Sequence, residues 1–114
     1  VATNEFKRFS VTISAITEGT ANTVYTVPVG KEVVIVGMRF ANQGNANELA
    51  LNVFIEDGGA NKFYLSGKNT PLPIGSALEM QQGKTVLIAN DILKTYADIA
   101  NEGDLTLSIL ERTP

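Results

Sequence analysis

Carboxylates, amides and lysines are the side chains of this sequence best suited to chemistry, and none sits in a pattern that performs it. The closest acidic pair is Glu56-Asp57, with Asn52 and Asn61 nearby in the chain. Such oxygens suit a calcium loop or an acid–base pair. Adjacent residues of an extended chain point to opposite faces, however, and no run supplies oxygen ligands at alternate positions through a 12-residue loop. Gly-Lys occurs at Gly30-Lys31, Gly67-Lys68 and Gly83-Lys84. A phosphate loop of the form G-x-x-x-x-G-K-[ST] fails even at Gly83-Lys84-Thr85, because Leu78 stands where the first glycine belongs. Serine and threonine are plentiful, but the chain has no His and no Cys. Imidazole and thiolate ligands, disulfides, cysteine nucleophiles and histidine bases are therefore all absent. The expectation is a protein that is not an enzyme, with no catalytic residues, no cofactor and no metal ion.

Binding chemistry is nearly as sparse. With no Trp, five Phe and three Tyr, a glycan platform would rest on Tyr25, Tyr64 and Tyr96, residues equally suited to a core edge or a subunit contact. A net charge of −3, with cations scattered apart from Lys7-Arg8, offers no basic stripe, so no nucleic-acid partner is expected. The longest apolar run, Val33-Val34-Ile35-Val36, is far below the roughly 20 residues of a membrane span. No basic segment followed by an apolar core opens the sequence, which fits synthesis in a cytoplasm.

The elements that would carry these residues alternate with period two. Phe9, Val11, Ile13 and Ala15 alternate with Arg8, Ser10, Thr12 and Ser14; Leu49, Leu51, Val53 and Ile55 do so between Asn47 and Asp57; Leu105, Leu107 and Ile109 do so between Asp104 and Glu111. Further strands are predicted over Thr23–Val27, Glu32–Asn42, Asn61–Leu65, Ser76–Met80, Thr85–Ala89 and Thr95–Ala100. Turn residues separate them at Pro28-Val29-Gly30-Lys31, at 42–47, at Asp57-Gly58-Gly59, at Gln82-Gly83 and at Asn101-Glu102-Gly103. Ser66–Ser76, with two prolines, reads as an irregular crossover, and Asn90–Lys94 as the one candidate for a helical turn. The length and pattern predict one all-β domain over residues 1–114, an antiparallel β-sandwich, jelly-roll-like, of about eight strands, with residues 1–9 a possible N-terminal arm.

Glu32–Asn42 is apolar on both faces. Assigning Val34, Val36, Met38 and Phe40 to the core, beside Val11, Ile13, Leu51, Val53, Leu107 and Ile109, leaves Val33 and Ile35 pointing outward. They then need a cover from a loop, the arm or a neighbouring subunit. Phe6 and Phe9 flank Lys7-Arg8 in a segment suited to docking by its rings. The expected interface residues are thus Phe6, Phe9, Val33 and Ile35, in a homo-oligomer.

Val24-Tyr25-Thr26-Val27-Pro28-Val29-Gly30-Lys31, followed by the apolar strand and by Arg39-Phe40-Ala41-Asn42, resembles the opening of a group of tailed-phage virion accessory proteins. Asn90–Lys94 and Leu105–Glu111 resemble the closing hairpin of the same group, so the resemblance spans Val24 to Glu111. It implies a virion structural protein, most simply a capsid decoration (cement) protein that binds the outside of the shell. Its partner would be the major capsid protein or another virion protein, and capsid symmetry points to a trimer. A head fibre, spike or tail component, or a glycan-binding sandwich, is the alternative. The resemblance carries no catalytic residue.

Overall fold

The computed structural model describes residues 3–44, 46–66, 68–79 and 85–113. Among these, ten strands follow in chain order: β1 (Thr3–Ile13), β2 (Asn22–Thr26), β3 (Glu32–Asn42), β4 (Leu49–Glu56), β5 (Lys62–Tyr64), β6 (Thr70–Leu72), β7 (Ala77–Glu79), β8 (Thr85–Leu87), β9 (Ile92–Ala97) and β10 (Gly103–Thr113). One short 3-10 turn, Glu18–Thr20, separates β1 from β2.

Two antiparallel sheets form a sandwich. The first has the order β1-β10-β3, with β7 and β8 pairing successive stretches of the far side of β3; the second has the order β2-β9-β4, with β5 and β6 both on β4. Counting β5 with β6, and β7 with β8, as single interrupted strands gives eight positions in jelly-roll order. Nine of the ten are named from the sequence; the tenth, β6, falls inside the predicted crossover, and the expectation of about eight strands agrees with these eight positions. The interruptions fall where the sequence is least regular. Pro71 pairs with Ala50 in β6, on the outer side of β4, where its missing N–H breaks no interior ladder. The predicted crossover shortens accordingly to residues 73–76, where the chain passes from the second sheet to the first; Gly67, within the predicted segment, and the Gln82-Gly83 turn lie outside the described residues. The predicted helical turn at Asn90–Lys94 is instead a tight turn, with Asn90 at φ 72°, and Ile92 already begins β9.

The core is the space between the sheets. Ile13, Met38, Phe40, Leu51, Val53, Leu93, Leu105, Leu107 and Ile109 are fully or almost fully buried there. Gly103 opens β10 at a point where the sheets close tightly, since a Cβ would lie 3.1 Å from Leu49 Cδ1 and 3.4 Å from Ile13 Cδ1.

Sidedness along β3 corrects the sequence reading. Val33 and Ile35 are 0% exposed and belong to the core, whereas Val36 is 53% exposed and Val34 is only half-buried. The cause is a β-bulge: Ser108 of β10 pairs with Gly37 but Ile109 pairs with Ile35, so Val36 is an extra residue. One added residue reverses which side chains face inward. The strand therefore has Val33, Ile35, Met38 and Phe40 inside, and Val34 and Val36 outside.

The arm is corrected as well. Residues 3–13 form one strand paired with β10 along its whole length, while Val1 and Ala2 lie outside the described residues. Phe9 faces inward and stacks on Tyr25, ring centroids 4.8 Å apart, so it is not a free docking ring.

Candidate functional site: an apolar row on the first sheet

Directly paired residues of antiparallel strands share a face. Phe6 pairs with Leu110, Leu110 with Val34, and Val34 with Val86. These four residues form an unbroken apolar row across β1, β10, β3 and β8, on the solvent side of the first sheet. Phe6 is 77% and Val86 60% exposed, and the bulge adds Val36 beside them. One row further along, Asn4, Arg112 and Glu32 stand in register, with Arg112 Nη1 3.3 Å from Glu32 Oε1. An open groove of about 540 Å³ runs between Glu32, Val34, Val86, Leu110 and Arg112. Of the four expected interface residues the structure places Phe6 in this row, buries Val33 and Ile35 in the core and leaves Phe9 half-buried against the core. Sequence reasoning missed Val34, Val36, Val86 and Leu110 as its companions. The signal was present in Gly37, since an isolated glycine inside an apolar strand marks a bulge.

The polar clusters are structural. Glu111 projects into the space between the sheets, almost fully buried. Its Oε2 accepts from the Tyr25 hydroxyl, and its Oε1 accepts from Lys31 Nζ at 2.9 Å and Lys7 Nζ at 3.0 Å. The Tyr25 hydrogen bond, then that of Lys31, outweighs desolvation and holds the Glu111 carboxyl at about 2. Burial, reinforced by the carboxylate, pushes the Tyr25 phenol well above its usual value. This cluster ties β10 to β1, to β2 and to the turn before β3.

A second cluster covers the outside of the other sheet. Phe54 is 0% exposed although it alternates with the core residues Leu51, Val53 and Ile55. Its ring lies 5.2 Å from that of Tyr64 and 6.2 Å from that of Tyr96, which explains why this position departs from the polar pattern. The Tyr64 hydroxyl donates to Glu18 and lies 2.9 Å from that of Tyr96, and Lys68 sits over the Tyr64 ring. The Tyr64 hydrogen bond draws the Glu18 carboxyl below its usual range. Tyr25 is on the opposite side of this sheet, so the three tyrosines do not form one platform.

The polar groups of these clusters bond one another. Among the described residues every buried side-chain nitrogen and oxygen has a hydrogen-bond partner, and no group of three or more acidic side chains gathers to hold a metal ion. Asp57 spends its carboxylate on the turn, accepting from the backbone N–H of Gly59 and Asn61.

No known family profile and no curated protein matches the chain. Among solved structures it is similar to a chain of the Bacillus endospore appendages, described as a novel family of disulfide-linked pili. The TM-score is 0.58 at 12% identity, over 98% of this chain and 87% of that one. It also matches infectious bursal disease virus, with a TM-score of 0.41 and 12% identity for the Gt strain, and 0.43 and 13% for the VP2 subviral particle. The chain spans 32% of each of those viral chains. At such identities the appendage likeness establishes a shared sandwich fold.

Proposed function

We propose that this chain is a non-enzymatic structural protein of a tailed-phage virion, a decoration (cement) protein that binds the outside of the capsid shell and stabilises it. The observation that carries this reading is the solvent-facing apolar row Phe6–Leu110–Val34–Val86 on a sandwich whose buried side-chain polar atoms, among the described residues, all have hydrogen-bond partners. A fold with an adhesive face and no assembled chemistry acts by burying surface. The sequence resemblance from Val24 to Glu111 supplies the address, and the jelly-roll order is one that capsid domains share with other proteins. The appendage likeness extends to fold but not to disulfide linkage, because these residues include no Cys.

The test is to add purified protein to particles assembled without it, then measure co-sedimentation and the temperature at which the shells release DNA. Saturable binding with a raised release temperature is expected. Absence of binding, or binding with an unchanged release temperature, overturns the cement role.

A further inference from the structure

We infer that the partner of the apolar row is a second copy of this chain, packed face to face through the first sheet about a two-fold axis parallel to the strands. The inference concerns the protein free in solution and keeps from the reading above only that the row is an assembly surface: the dimer covers the row, so a shell would be met by the faces the pair leaves exposed.

Geometry selects both occupant and axis. A two-fold axis along the strands, running between β10 and β3, reverses the order of strands while leaving each cross-strand row at its own height. Phe6 of one copy then meets Val86 of the other, and Leu110 meets Val34, so the apolar row lies upon itself. The next row brings Arg112 of each copy opposite Glu32 of its partner, turning two intrachain ion pairs into a four-charge ring at the rim. An axis across the strands would instead set the charged row over the row of Arg8 and Ser108, with no opposite charge for Arg112. Sheets packed with their strands nearly aligned are an ordinary arrangement.

Area sets the strength of the contact. β1, β3 and β10 run for 11 residues each, about 37 Å, and together span about 14 Å, while β8 adds only Thr85–Leu87. The resulting face of roughly 550 Å² per partner is below the ~800 Å² of a standard interface and suits a reversible, concentration-dependent dimer. Because the contact is isologous it closes at two copies, and a dimer replaces the trimer that capsid symmetry suggests. It also points the Tyr64–Tyr96 face of each copy away from its partner.

The experiment uses charge reversal at the rim, measured by light scattering and native mass spectrometry on full-length protein without capsids. Wild type is expected at twice the 12.2 kDa chain mass. R112E alone, or E32R alone, sets like charges opposite each other twice per dimer, and each is expected to weaken self-association by about tenfold or more. Mixing the two variants pairs position 112 of one with position 32 of the other by opposite charges in both places, and restores a mixed dimer. Val86→Glu, at an exposed position, is expected to give a monomer with unchanged circular dichroism. A monomeric or trimeric wild type, or a dimer indifferent to these substitutions, overturns the inference, as does failure of the mixture to re-form dimers. If the wild type is monomeric and Val86→Glu abolishes binding to capsids, the row docks the shell, and the inference fails while the cement reading stands. Dimers that behave as described but ignore capsids refute the cement reading alone.

Discussion

Replacing Glu111 with glutamine removes a buried charge that bonds groups of both sheets. The folded carboxyl titrates at about 2 against an ordinary 4.5, and a shift of that size corresponds to about 3 kcal/mol of preferential stabilisation of the ionised form. Because Lys7 and Lys31 keep a third of their side-chain surface in water, solvent screens part of it, and we expect E111Q to lose about 2 to 3 kcal/mol at pH 7. For a domain of this size that is a fall of about 8 to 15 °C in Tm. The pH dependence gives the diagnostic sign. A carboxyl with a depressed folded pKa contributes its full stability above 4.5 and loses it as pH falls toward 2. The difference between wild type and E111Q should therefore be constant from pH 7 to about 5, and shrink to below about 1 kcal/mol by pH 2.5. Urea unfolding of both proteins across this range, at one protein concentration, measures it. A difference that stays the same down to pH 2.5, or one below about 0.5 kcal/mol at pH 7, would refute the role assigned to the cluster.

Other outcomes follow from the corrected register and the turns. Ile35→Ala should cost about 2 to 4 kcal/mol in urea unfolding, as for a fully buried aliphatic, while Val36→Ala changes stability by under about 1 kcal/mol; the reverse ranking would restore the original sidedness. Ala60 adopts φ 65°, so Ala60→Gly should gain up to about 1 kcal/mol in the same assay by relieving a left-handed non-glycine residue. Tyr64→Phe leaves its ring on Phe54 but removes the hydroxyl shared with Glu18 and Tyr96, and should lower stability by about 1 kcal/mol. Chelation with EDTA should leave the Tm unchanged, and a fall of several degrees would reveal a bound cation.

Much of the fold was legible because burial imposes a period of two, and turns demand particular residues. The bounds of β3 are those read from its apolar run, and β4, β5 and β10 agree within a residue or two at each end. Register was less legible. Period-two reasoning carries sidedness along a strand only while no residue is inserted, and the extra Val36 inverted the assignment of Val33, Val34, Ile35 and Val36 together. An adhesive outer face was expected from a strand apolar on both sides, and the expectation led to the wrong pair of valine and isoleucine within the right strand. Leu110 lies on the outward side of the alternation of Leu105, Leu107 and Ile109, but the other members of its row, Phe6 and Val86, lie 104 and 24 residues away in the chain, and only sheet pairing brings them together. Charge clusters are harder still. Glu111 carries no signal in the sequence beyond ending a strand, because Lys7, Tyr25 and Lys31 surround it only once both sheets are assembled.

Placement on a particle is the most direct test of the central claim. On the proposed cement role, an electron-microscopy map of particles that carry this chain, at a resolution that resolves strands, should show the jelly roll seated on the outer surface of the capsid shell, bridging neighbouring capsomers. Density for the chain only in a fibre, spike or tail, or none on the particle at all, would contradict a cement role.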